Sequence, residues 1–374
     1  MVDKTLNLGT TVAIKKEKLL QLILTLTEKG YQPIGPCLKD GVISYEPIVS
    51  IDALPQGFSS EQEKGHYRVK PGNHKRYFDI TPGPHTWKKF LFPPRTQLFK
   101  AHLLNGHWQE TLEKEETPRY ALIGVRPCES AAIQIQDKVF IREDFSDPIY
   151  AKRRENLLIV TVNCLHPSPT CFCTSMNTGP KAQGGFDLSL TELDDVFLVE
   201  LGSDAGIAVM QQIEWEPASA FLHQIAQQGF KEAEDAIIRQ IDNLESVPNM
   251  LLSNLEHPYW NEVGQRCMSC TSCTQVCPTC FCWDVEDSTD LNGKYTRRER
   301  VWDSCFNLAY STQAGGNTRP STKSRYRQWL THKMGSWVHQ FDSLGCVGCG
   351  RCVTWCPAKI DITEEIKTFQ DVTA

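Results

Sequence analysis

At 374 residues, 40 % hydrophobic and 22 % charged, the chain exceeds one ordinary domain and has the composition of a globular protein that buries cores of its own. A formal charge of −6 argues against general nucleic-acid binding. The best apolar run, residues 19–26, is broken by Gln21 and Thr25, well short of the roughly 20 residues of a spanning helix, and no signal peptide is read. The expectation is a cytoplasmic chain with neither a membrane nor a nucleic-acid partner.

Apolar spacing predicts a helix over residues 15–29, stopped by Gly30. Residues 50–118 show no lasting period and read as loops with short strands. Buried strands are predicted at 120–125, 157–162 and 196–201. The first runs through Arg126-Pro127-Cys128-Glu129 into a helix over 130–139. Cys128 is thereby set at a strand-to-helix junction, where backbone N–H groups and the helix dipole favour an anion. Residues 215–247 read as helix in two pieces broken near Gly229, and 249–264 as a polar connector. The expected domains are 1–250, mixed α/β, and 260–374.

The chain has 16 cysteines, most of them closely clustered. In a long chain without a signal peptide, clustered thiols stay reduced and point to metal rather than to disulfides. Cys267-x2-Cys270-x2-Cys273-x3-Cys277-Pro278 and Cys346-x2-Cys349-x2-Cys352-x3-Cys356-Pro357 both have the spacing of a bacterial ferredoxin run. Three thiolates two residues apart let one tight loop hold three corners of a cubane, and the fourth reaches the neighbouring cluster. Crossed ligation is expected: Cys267, Cys270, Cys273 and Cys356 on one 4Fe–4S cluster, and Cys346, Cys349, Cys352 and Cys277 on the other. Zinc, the alternative, takes C-x2-C pairs that each supply half a tetrahedron. Cys273-x3-Cys277-x2-Cys280 also matches a radical-SAM triad, but two of its members belong to the longer pattern.

The 68 residues between Cys277 and Cys346 carry a potentially helical stretch over 319–333. The spacing resembles the helical ferredoxin domain of fumarate-reductase-type iron–sulfur subunits. The expected fold is therefore an α/β N-terminal domain followed by a mostly α-helical, ferredoxin-like domain with two clusters. Cys128, Cys164, Cys171 and Cys173 are candidates for a third metal site or cluster, with ordinary buried thiols as the alternative. Cys280, Cys282 and Cys305 are read as packing beside a cluster, and Cys37 as a core residue. Residues 294–333 hold nine Lys or Arg against Glu299 and Asp303. That excess would favour a reduced, anionic cluster or dock an acidic partner. No G-x-G-x-x-G follows a strand, and neither a P-loop nor H-E-x-x-H is present.

Gly124-Val125-Arg126-Pro127-Cys128-Glu129, Thr170-Cys171-Phe172-Cys173-Thr174-Ser175, Gly185-Phe186-Asp187-Leu188 and Gly345-Cys346-Val347-Gly348-Cys349-Gly350-Arg351-Cys352 together resemble the sulfhydrogenase β-subunit family. That family also takes in the corresponding iron–sulfur subunit of anaerobic sulfite reductase. The likeness spans residues 120–365 or so. It implies an electron-transfer subunit without catalytic residues, held in a hetero-oligomer. On one side would lie a flavin/NAD(P)-binding subunit, on the other a nickel–iron hydrogenase or a sulfite reductase. The other reading is an enzyme with a flavin or an open-iron cluster in the N-terminal domain.

Overall fold

The computed structural model describes residues 5–81, 83–112, 118–142 and 144–373. Along the chain the strands are β1 (Thr11–Lys15), β2 (Gln32–Lys39), β3 (Val42–Pro47), β4 (Phe58–Glu63), β5 (His66–Pro71), β6 (Arg95–Leu104), β7 (His107–Leu112), β8 (Tyr120–Val125), β9 (Leu158–Val162), β10 (Leu188–Glu192), β11 (Val196–Leu201), β12 (Glu216–Pro217), β13 (Trp283–Thr289) and β14 (Tyr295–Trp302). A large sheet takes the order β12-β1-β11-β10-β9-β8-β2-β3. Its centre, β2, β8, β9 and β10, is parallel, and the flanking pairs are antiparallel.

Parallel strands covered on both faces need continuous apolar runs, which β8 and β9 supply. Alternate residues serve opposite faces. Ala121, Ile123, Leu158 and Val160 pack under the helix Lys18–Glu28, which contributes Leu19, Leu22, Ile23 and Leu26. Leu122, Val125 and Ile159 pack with Ile133, Phe140 and Tyr150 on the other side. Those last residues lie on the helices Pro127–Phe140 and Pro148–Glu155, which carry the chain from β8 across to β9. Cys128 and Cys164 follow directly on β8 and β9, at the carboxyl ends of adjacent parallel strands, where open α/β sheets hold ligands.

The expectation of a mostly helical C-terminal domain needs amending. Between the two cysteine motifs runs the hairpin β13–β14, and β14 pairs with β6 in a second sheet of order β13-β14-β6-β7. This hairpin lacks an apolar period because β13 is exposed throughout. Cross-strand ion pairs such as Arg298–Asp287, at 2.7 Å, hold it instead. A short ribbon follows, β15 (Thr312–Gln313) paired with β16 (Gly316–Asn317), and helices make the core: Tyr259–Arg266, Thr322–Thr331, Trp337–Phe341 and Ile362–Thr373 enclose Trp260, Tyr326, Trp329, Leu330 and Phe369.

Two local readings also change. The helix Ala220–Ala236 runs unbroken through Gly229, which faces the Leu165 side chain. The supposed connector 249–264 contains parts of two helices, Val247–Ser253 and Tyr259–Arg266, because Pro248 and Pro258 stand at helix starts, where a missing N–H is harmless. No helix among the described residues is long and apolar enough to cross a membrane.

Candidate metal centres

The two ferredoxin-like motifs fold into the same local shape. In the first, Ser269 and Thr271 take φ of +52° and +66°; in the second, Gly348 and Gly350 take +63° and +71°. These are the second and fourth positions after the leading cysteine in each copy. In both, the residue at the second position donates its backbone N–H to that cysteine's sulfur at 3.5 Å, Ser269 to Cys267 and Gly348 to Cys346. A short helical turn follows, Ser272–Gln275 or Arg351–Thr354. Only the second copy needs glycine. A Cβ on Gly348 would lie 2.5 Å from the Phe172 carbonyl oxygen, and one on Gly350 2.3 Å from that of Thr170.

Cys267, Cys270, Cys273 and Cys356 line one apolar cavity with Tyr326, Trp329 and Ile360. Cys356 thus leaves its own motif and joins the other. Cys346, Cys349, Cys352 and Cys277 form the reciprocal group. Burial and then Cys346, Cys349 and Cys277 push the Cys352 thiol well above its ordinary range. Burial raises Cys346 to about 12, with Cys349 and Cys277 adding to it and Lys333 opposing. Cys352 also borders the first cavity, so the two groups adjoin.

The N-terminal candidates converge as well. Cys171 is pushed well up by burial and then by Cys173, Cys164 and Cys349. Burial, with Cys164 next, takes Cys173 to about 12, and Cys128 rises through burial, Cys349 and Cys173. The loop carrying Cys171 and Cys173 lies backbone to backbone on the second motif. Phe172 N donates to Gly348 O at 2.8 Å, and Thr178 Oγ1 to Val347 O at 2.6 Å. The three groups therefore form a row with the Cys346 group in the middle. Cys37 stands apart on β2, half-buried.

Buried cations sit beside each group. Arg325 reaches the Ser269 hydroxyl at 3.2 Å beside Cys267. Lys333 Nζ lies 3.3 Å from Cys277 Sγ and donates to Gly345 O at 2.8 Å. Arg126, beside Cys164, donates among the described residues to the backbone carbonyls of Phe78, Ile80, Val162 and Asn163. Arg351 meets Glu129 at 2.5 Å, both almost wholly buried, while its Nη1 finds no partner among the described residues. The sequence marks Arg325 and Lys333 only as members of the basic stretch 294–333; which thiols these cations face depends on how distant segments pack. Elsewhere the basic excess of 294–333 is largely paired or buried: Arg297 meets Glu299 at 3.3 Å, Arg298 meets Asp287, and Arg327 meets Glu256 at 2.7 Å.

Grouped thiols, most of them buried, together with buried positive charge fit an iron–sulfur cluster, whose irons deprotonate their thiols and whose thiolate-ligated core is anionic. A lone zinc ion fits less well. Among the described residues, no three of His, Cys, Asp or Glu converge as one metal ion requires.

Fold and site thus define an iron–sulfur electron-transfer protein, and residues 266–360 match the family of 4Fe–4S dicluster domains. The chain belongs to the sulfhydrogenase β-subunit family. It is 34 % identical over 294 residues to sulfhydrogenase 2 subunit beta of Pyrococcus furiosus, a match covering 76 % of this chain and 82 % of that one. No solved structure matches it.

Proposed function

We propose that the chain relays single electrons between a flavin/NAD(P)-binding partner and a nickel–iron hydrogenase, performing no substrate chemistry itself. The observation that carries this reading is the exchange of Cys277 and Cys356 between the two motifs, which makes two adjoining four-thiol groups, with a third beside Cys349. A 4Fe–4S cluster bound by each group supplies reversible one-electron redox chemistry. The ligand sets are Cys267, Cys270, Cys273 and Cys356; Cys346, Cys349, Cys352 and Cys277; and Cys128, Cys164, Cys171 and Cys173. The residues around them exclude water and supply cations. Lys333 and Arg351 favour the more negative, reduced state of the middle centre. Among the described residues Cys270 is the one exposed cysteine, beside exposed Met268, which makes that end of the row a docking point for an electron partner. The similarity to a sulfhydrogenase subunit favours the hydrogenase partner.

The test is anaerobic purification of the tagged chain from its own cells. NAD(P)H is expected to bleach the cluster absorption in the co-purified complex and to leave the isolated chain unchanged, while dithionite reduces both. An isolated chain that oxidises NAD(P)H, or that turns over a substrate unaided, would overturn the proposal.

A further inference from the structure

A second trio of thiols lies outside these sets. The segment Pro169-Thr170-Cys171-Phe172-Cys173 recurs residue for residue as Pro278-Thr279-Cys280-Phe281-Cys282. The two copies flank the second ferredoxin motif. Thr170 Oγ1 lies 2.8 Å from Thr354 Oγ1 at one end of the motif, and Thr279 Oγ1 donates to Gly345 O at 2.7 Å at the other. Both threonines are buried. The first copy presents its cysteine pair to Cys128 and Cys164. The second presents its pair to Cys305, and all three of these thiols line a cavity of about 190 Å³ that also meets Tyr310, Arg319 and His332.

We propose that Cys280, Cys282 and Cys305 hold a further 4Fe–4S cluster, with its fourth coordination position facing this cavity. The charges around it call for an anion. Lys88 is 4 % exposed, donates to Cys280 O at 3.1 Å, and lies 3.9 Å from the centre of the Trp302 ring. Lys333, on the other side, is 6 % exposed. Neither ammonium meets a carboxylate among the described residues, and a buried charge without a counter-charge is strongly disfavoured. An anionic cluster at the three thiols supplies the missing charge to Lys88, and Lys333 then lies between it and the Cys346 centre. Simple packing of thiols accounts for neither the buried lysines nor the cavity. Among the described residues no three of His, Cys, Asp or Glu converge as a single zinc ion requires. With three thiolates on a cubane, one iron is left to a different ligand. The imidazole of His332 and the hydroxyl of Tyr310 are the protein groups available there, and the cavity leaves room for a small exogenous donor.

The test is iron and acid-labile sulfide per chain in anaerobically purified full-length protein, with Cys282→Ser, Cys305→Ser and, as control, Cys37→Ser. Each of the first two is expected to lose about 4 iron relative to the wild type and the control, and to keep the EPR signals of the dicluster centres. Because the readout is a difference, it holds whether or not the N-terminal group is filled. An unchanged iron count in both variants overturns the proposal. Mössbauer spectra of the wild type cover the case of a variant that does not fold. One iron subsite with a non-thiolate ligand, shifted by added cyanide, supports the site, and irons ligated uniformly by thiolate contradict it.

Discussion

Cys356 belongs by sequence to one motif and by position to the other. The Cys356→Ser variant is therefore expected to damage the cluster of Cys267, Cys270 and Cys273 and to leave most of the signal of its own motif, as read by EPR after dithionite reduction. Cys349→Ser should do the reverse. Loss of the Cys346 centre in Cys356→Ser would mean that ligation is not crossed. Lys333 gives a second test. Replacing it by methionine removes a buried cation 3.3 Å from Cys277 Sγ, so the potential of that centre should fall, with the cluster holding Cys267 less affected, in an EPR-monitored redox titration. The variant also takes the Lys333 donor from the Thr279 hydroxyl and one of two donors from Gly345 O, at about 1–3 kcal/mol of stability. An unchanged or higher potential would contradict this electrostatic role. The motif thiols were legible in the sequence because their spacing is local. Lys333 was legible only as one of the basic residues of 294–333, because its place beside Cys277 depends on the packing of residues 56 positions apart.

Among the elements, the docking of residues 170–173 on the second motif is the most sensitive to a small change. Gly350→Ala puts a Cβ 2.3 Å from the Thr170 carbonyl oxygen at a residue with φ of +71°. It is expected to destabilise the protein by about 1–3 kcal/mol in denaturant titration and to loosen the N-terminal cysteine group first, measured as iron lost from it ahead of the dicluster pair. Equal loss from all centres would contradict that order. At this scale the sequence was legible wherever burial was two-sided. Strand β8 begins and ends where its apolar run does, and β9 begins one residue after its predicted start. The hairpin β13–β14 was illegible because its stability comes from cross-strand charge pairs and from β6, far away in sequence, and its residues show no apolar alternation. Gly229 has the look of a helix break, but close approach to Leu165 is the reason for a small residue there.

Across the whole molecule, the buried pair Glu129–Arg351 joins the helix after β8 to the second ferredoxin motif. Tyr45 and Trp87 also donate to Glu129, the latter at 3.0 Å. Glu129→Gln leaves the Arg351 charge buried without its counter-ion. The expected cost is about 3–5 kcal/mol in reversible unfolding, part of it recovered in Glu129→Gln/Arg351→Met. A loss under about 1 kcal/mol would mean that the two halves are not coupled through this pair. The central claim is that the motif thiols hold paired, adjoining clusters, and the most direct measurement is the EPR spectrum of the dithionite-reduced full-length chain, with iron and zinc counted on the same sample. The expected result is an iron-loaded protein, free of zinc, whose cubane signals are broadened by magnetic interaction between neighbouring centres and simplify in Cys356→Ser. A zinc-loaded protein with no signal on reduction would contradict it.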